Sequence, residues 1–272
     1  MALASMSEIF ERMARNGQEF WEVVLADDMD ERQVSREASM AKMLTTWQAM
    51  QDAADSYTGR KRSVSGLVGG DGMKMRQYTF RGCAMTGGYV SEVIAEALSM
   101  AESNACMRRI VAAPTAGASG VLPGVLIALQ EQYGLTERQM LDALLVASAI
   151  GVVVAENSGI SGAAGGCQAE VGTASAMAAA SSVYLMGGSP EQCFAAAGLA
   201  IQNMLGLVCD PIAGLVEAPC QARNAAGASN ALVSAELVLA GVPEVIPFDE
   251  VVEAARQVGH ALPESLRETA LG

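Results

Sequence analysis

Aromatic side chains make up only 4% of this 272-residue chain, too few for an aromatic-rich β-sandwich. Histidine occurs once, as His260, so a zinc centre built on imidazoles has almost nothing to use. No Cys-x-x-Cys pair occurs among the six cysteines, which removes the usual spacing of a structural zinc site. Positive charge is also short: 17 Lys and Arg face 30 Asp and Glu, giving a net charge of −13 and a pI near 4.5. Such a surface is unsuited to neutralising phosphates, and no nucleic-acid partner is expected. Residues 1–20, MALASMSEIFERMARNGQEF, contain no apolar segment of signal-peptide length. That points to a reducing cytoplasm, in which cysteines stay free or bind metal. The most uniformly apolar run, 144–155, falls short of the roughly 20 residues that span a bilayer, so no membrane partner is expected either.

What the chain has instead is aliphatic bulk in small units. Hydrophobic residues reach 51%, carried by Ala, Val, Leu and Met and broken by 28 glycines. The length suffices for a core without disulfides. No repeat, linker or composition step divides it, so residues 1–272 read as one domain. Helical periodicity dominates: residues 7–58 form an amphipathic outer layer with Ser7 as the first cap, and further helices cover 90–107, 121–133 and 137–156. Thr136 with Gln139 makes a capping box, and Ser189-Pro190-Glu191-Gln192 adds a proline at the first helical position to another. Helices are also expected over 167–186, 190–205, 220–240 and 249–258, with Gly241 and Pro243 as stop signals. No period-two segment is long enough for a strand. The fold class is all-α, a single compact helical domain with glycine-rich functional loops between helices.

Four interruptions carry the functional interest: 59–89, with glycines throughout, 113–120 (APTAGASG), 157–166 (NSGISGAAGG) and 206–220 (GLVCDPIAGLVEAPC). A long aperiodic stretch in a compact chain is usually functional or mobile. Cys167, Cys209 and Cys220 sit where helical periodicity stops or restarts. Free backbone N–H groups and helix N-termini there favour thiolates. Cys193 lies inside an apolar helical run and reads as a small hydrophobe, Cys106 ends a helix, and Cys83 lies in the glycine loop. Three thiolates without zinc spacing suggest an iron–sulfur cluster with one iron lacking a protein ligand. The spacing is unlike the compact ferredoxin pattern, and structural thiols remain an alternative at this point.

The strings PTAGASGVLPGVL, SGAAGGCQAEVGTASAM and CDPIAGLVEAPCQARNAAGASNALVSAELVLAG, with the tail LPESLRETALG, closely resemble the alpha chain of the iron–sulfur-dependent L-serine dehydratases, or L-serine ammonia-lyases. The resemblance runs along essentially the whole chain, most densely from SVSGLVGGDG onward. It implies a 4Fe-4S cluster held by Cys167 in GGCQAEVG, Cys209 in CDPIAG and Cys220 in APCQARN. Single-chain members begin with a further domain bearing a Ser-Ser-Ser-His-Thr type motif, and that motif is missing here. A separate beta subunit is therefore expected as partner. Some members direct a C-terminal cysteine at the fourth iron, whereas this chain ends Ala270-Leu271-Gly272, so that mode of inhibition is not expected.

The reaction the resemblance implies takes L-serine to pyruvate and ammonia. The iron without a cysteine acts as a Lewis acid on the β-hydroxyl while a base removes the α-proton. Pyridoxal phosphate is not expected, since Lys42, Lys61 and Lys74 lack a suitable context. The substrate carboxylate calls for backbone N–H groups in a glycine-rich concavity. Ser63, Ser65, Gly69 and Gly70 form one candidate, and Thr115, Gly117 and Ser119 another; either could equally be a tight inter-helix turn. Asn157 and Ser161 are candidates for contact with cluster or substrate. His260 is the sole imidazole, yet a solvated or interface role competes with a catalytic one, and the partner chain could supply the base. Three other readings compete with the serine lyase: an L-cysteine desulfidase on the same scaffold, an iron–sulfur electron-transfer or sensor subunit, and a helical interaction subunit with unligated thiols.

Overall fold

Capping side chains set the helix starts. In the computed structural model, which describes residues 3–267, Ser5 accepts a hydrogen bond from the Glu8 amide and opens α1 (Met6–Asn16). Ser7 lies inside that helix, because Ser5 is the residue with extended backbone. A reciprocal Glu19–Glu22 box opens α2 (Phe20–Arg32), and Ser35 opens α3 (Arg36–Asp55). Then come α4 (Asp71–Phe80), α5 (Gly87–Ala105) and α6 (Val121–Tyr133). The Thr136–Gln139 box heads α7 (Glu137–Asn157) as expected. A short α8 (Gly162–Gly165) and a π-helical turn, Gln168–Gly172, lead into α9 (Thr173–Leu185). Ser189, Pro190 and Gln192 start α10 (Pro190–Gln202). The chain continues with α11 (Cys220–Leu239) and α12 (Phe248–Ala261). Among the described residues the sole β feature is an isolated bridge between Cys209 and Arg267, and the fold is all-α. The Ala270-Leu271-Gly272 terminus lies outside the described residues.

Two further expectations change. Residues 59–89 are not aperiodic throughout, since α4 and the start of α5 occupy part of them. The α4 sequence, DGMKMRQYTF, has no apolar stripe to announce it, and its first turn is held from outside by Glu102 on α5. The stretch from Cys167 is likewise not one regular helix, because the π turn precedes α9. In addition, α7 is longer than the apolar run that marks it. By length and composition it could cross a membrane, but 72% of its most apolar window is buried inside the fold.

The centre is α9, in which every residue from Thr173 to Val183 is buried. It packs against α6, α7, α10 and α11. Its Ala and Ser side chains let those helices approach closely while their hydroxyls stay satisfied: Ser175 donates to the Gly227 carbonyl at 2.9 Å and Ser181 to that of Ala143 at 2.9 Å. The phenylalanines gather at one end, where Phe194 stacks on Phe20 and meets Phe10 and Phe248 edge-on or tilted, and Tyr89 meets Tyr133 edge-on elsewhere. Small residues govern the α5–α6 contact too, since a Cβ on Gly124 would stand 2.8 Å from the Ala97 amide nitrogen.

Gly124→Ala is therefore expected to lower stability by about 1–3 kcal/mol, the usual cost of overpacking a tight core, read from denaturant unfolding. A second expectation follows from Cys193, buried in the core, whose thiol burial pushes up from 9.0 to about 12. Between these values the folded chain keeps a proton that the unfolded chain has lost, so stability falls as pH rises above 9. Cys193→Ala should flatten that slope in unfolding curves measured from pH 8 to 11.

Candidate functional site

Cys167, Cys209 and Cys220 are all buried, and the fold brings them together. Cys167 immediately precedes the π turn, Cys209 sits on the bridge to Arg267 with its amide bonded to the Leu266 carbonyl at 3.0 Å, and Cys220 is the first residue of α11. A hydrogen bond with Cys209 holds the Cys167 thiol below its ordinary value, and the nearby Arg223 guanidinium adds to this against the effect of burial. The Cys220 thiol is pushed up to about 12, first by burial and then by the charges of Cys167 and Glu170. Arg223 also donates through Nη1 to the Val208 carbonyl, anchoring the backbone beside Cys209.

Among the described residues, no group of three or more His, Cys, Asp or Glu side chains is arranged around a single ion. Cysteines that bind different irons of one cluster need not share one ion's coordination shell. The donor set is soft, buried and next to a fixed cation, which suits an iron–sulfur group better than a hard cation.

Two side chains that drew no attention in the sequence organise the surroundings. Asn224, one helical turn after Cys220, donates from Nδ2 to the Cys220 carbonyl at 2.9 Å and the Gly117 carbonyl at 2.7 Å; its Oδ1 accepts the Gly120 amide at 2.8 Å. It thereby fastens the 113–120 turn to the cysteine helix. Glu170, on the π turn, accepts a hydrogen bond from Thr115 Oγ1 and lies close enough to Cys167 and Cys220 to bear on both thiols. π turns recur at functional sites because they rotate one residue out of the regular helical order. Ser119 is buried on the 113–120 turn that also carries Thr115, and its hydroxyl makes no hydrogen bond among the described residues.

The other candidate loop is committed to internal carboxylates. Ser63 Oγ donates to Glu217 Oε2 at 2.7 Å and Ser65 Oγ to the same oxygen. The Gly70 amide donates to Glu102 Oε2 at 2.9 Å, while Gly69 passes so near the Lys61 carbonyl that a side chain there would collide. Glu102 also takes the Tyr57 hydroxyl and, at 2.6 Å, Gln221 Nε2. Asn157 is the last residue of α7 and donates to the Val153 carbonyl at 2.7 Å and the Ala4 carbonyl at 2.8 Å; Ser161 stands just before α8 and is exposed. His260 is exposed near the end of α12, its carbonyl taken by Arg267 at 2.6 Å. Cys83 is exposed and Cys106 half-buried at the end of α5, whereas Cys193 is core, as its apolar context implied.

Known proteins match this arrangement along its length. The family model "Serine dehydratase alpha chain" matches residues 15–272. The probable L-serine dehydratase alpha chain of Bacillus subtilis is 45% identical over 251 residues, which is 92% of this chain and 84% of that one. The L-serine dehydratase alpha chain of Peptoniphilus asaccharolyticus is 40% identical over 271 residues, 99% and 93% of the two chains. A third relative, L-serine dehydratase 2 of Escherichia coli, is 42% identical over 179 residues that make up 65% of this chain but only 39% of that one. The protein is thus of the all-helical class, with three buried cysteines brought together by separate segments. The chain belongs to the serine dehydratase alpha chain family.

Asn224→Ala would strand the buried Gly120 amide and Gly117 carbonyl. A loss of about 1–3 kcal/mol in unfolding free energy is expected, with faster hydrogen exchange at the Gly120 amide.

Proposed function

We propose that this chain is the iron–sulfur-binding subunit of an L-serine ammonia-lyase, acting with a second chain to convert L-serine to pyruvate and ammonia. The observation that carries the reading is the convergence of buried Cys167, Cys209 and Cys220 in a chain of this family. These three would hold a 4Fe-4S cluster. When bound, the cluster supplies Lewis acidity at the substrate's β-hydroxyl from the iron that no cysteine holds.

The chain's own residues prepare the pocket. Arg223 balances thiolate charge beside Cys167. Asn224 holds the 113–120 turn in place, and this turn, with the buried Ser119 hydroxyl, receives the substrate carboxylate. The Ser63–Gly70 loop is less suited to that task, because Glu217 and Glu102 already use its hydroxyls and the Gly70 amide. The α-proton acceptor belongs to the second chain, since His260, the single imidazole, is exposed. Loss of the α-proton and the β-hydroxyl leaves aminoacrylate and water, and tautomerisation with hydrolysis then yields pyruvate and ammonia.

Support for a second chain comes from the surface. Val64, Leu67, Ile212, Leu215 and Val216 are exposed on the two loops that Glu217 ties together, and exposed apolar clusters of this kind commonly mark protein contacts. The Escherichia coli relative is also much longer than the part that matches this chain.

Anaerobic reconstitution with iron and sulfide, followed by a serine-to-pyruvate assay with and without a candidate beta chain, tests the proposal. Iron and sulfide in cluster stoichiometry and pyruvate only with both chains are expected. Cys167→Ala, Cys209→Ala and Cys220→Ala should each lose the cluster and at least a hundredfold of the rate. Full cluster content and activity in all three variants would refute the assignment.

A further inference from the structure

Positive charge in this acidic protein is gathered in one stretch. Residues 59–109 hold eight of the 17 Lys and Arg but four of the 30 Asp and Glu, a formal +4 inside a chain of −13. Elsewhere cations find carboxylates: Arg12, Arg32, Arg36, Arg138 and Arg256 each form an ion pair. Within the stretch Lys74 and Arg76 do the same. The run Arg60-Lys61-Arg62 and the pair Arg108-Arg109 form none among the described residues.

The fold places these two groups together, since Lys61 and Arg108 line one narrow cleft with Cys106. Four of the five cations are exposed and Arg108 is half-buried. Beside them in the chain stand apolar side chains that the core does not take up: Val64 is 98% exposed, Leu67 52% and Met107 86%. Through Ser63 and Ser65, Glu217 ties the same loop to the segment that carries the exposed Ile212, Leu215 and Val216. An apolar centre with a polar, arginine-bearing rim is the anatomy of a protein–protein contact, and a rim of one sign favours a partner surface of the other. Capture of substrate gives no reason for the charge, because L-serine is a zwitterion with no net charge. Nucleic acid is a poor fit as well, since the rest of the chain sets 26 acids against nine cations.

Resting on the reading above that a second chain acts with this one, we propose that residues 60–62 and 108–109 form the cationic rim of the face on which that chain docks, and that the surface it brings is acidic.

The test uses the full-length, anaerobically reconstituted protein and the candidate beta chain. A carbodiimide joins amines to carboxylates in contact, and peptide mapping of the product is expected to find Lys61 linked to an Asp or Glu of the beta chain. Association is measured by biolayer interferometry from 50 to 300 mM NaCl for wild type, Lys61→Glu/Arg109→Glu and the control Arg15→Glu/Lys42→Glu. The control makes the same change in net charge at exposed positions on α1 and α3. At the lowest salt the rim variant should bind about 10- to 100-fold more weakly, chiefly through slower association, and the control within about threefold of wild type. The difference should shrink toward the highest salt as screening takes hold. Melting temperature and iron and sulfide content should match wild type. Lys61→Ala/Arg109→Ala should shift affinity in the same direction by less, and serves if the reversed variant does not fold.

Equal weakening by rim and control variants, an affinity indifferent to salt, or no link from Lys61 to the beta chain would each overturn the proposal. So would a rim variant that assembles normally but no longer binds phosphatidylglycerol vesicles, which would assign the charge to a membrane surface. Failure of the underlying reading looks different. Wild-type chains that stay apart at every salt concentration would remove the reading and the proposal together, whereas chains that associate as expected but form no pyruvate from L-serine would contradict the activity and leave the docking face standing.

Discussion

A buried carboxylate must be met by donors, and the loops of this protein are shaped by that requirement. Glu102 gathers the first amides of α4, the Tyr57 hydroxyl and Gln221 around one side chain. Glu217 does the same for the two serines of the preceding loop. Asn224 plays the neutral counterpart for the 113–120 turn. Three segments with little regular hydrogen bonding of their own are thus fastened, two of them to α5 and α11 and the third to the loop that leads into α11, and two of the fastening residues lie within four residues of Cys220. Removing a member of such a network leaves several buried groups unpaired, so the loops and the cysteine helix form one unit.

The second requirement is proximity. Cysteines from three separate segments meet only if the helices behind them come close, and the small faces of α9 and α11 allow it. Ala, Ser and Gly bring backbone near backbone, as where Ser175 reaches the Gly227 carbonyl between α9 and α11. The scarcity of aromatics has a structural counterpart here, because bulky rings at this centre would hold the cysteine-bearing segments apart. Four of the five phenylalanines cluster at the Phe194 end instead.

Much of this was legible in the sequence where local signals are strong. The capping boxes at Thr136 and Ser189 mark their helices because the cap chemistry is contained within four residues. The three junction cysteines were separable from Cys193 because their neighbours break periodicity while those of Cys193 do not. Helix α4 was hidden, since what holds its first turn is a glutamate 30 residues further on. The π turn was hidden because an inserted residue leaves no composition signal. Glu170 and Asn224 look like ordinary polar residues on helices, and their importance lies in contacts made across 55 and 107 residues of chain.

Iron-57 Mössbauer spectroscopy of the protein reconstituted with the proposed second chain, before and after addition of L-serine, is the most direct test of the proposed cluster. With three cysteines and one open position, the account predicts three irons alike and one distinct, with only the distinct iron changing when L-serine is added. Four equivalent irons that are indifferent to L-serine would contradict it.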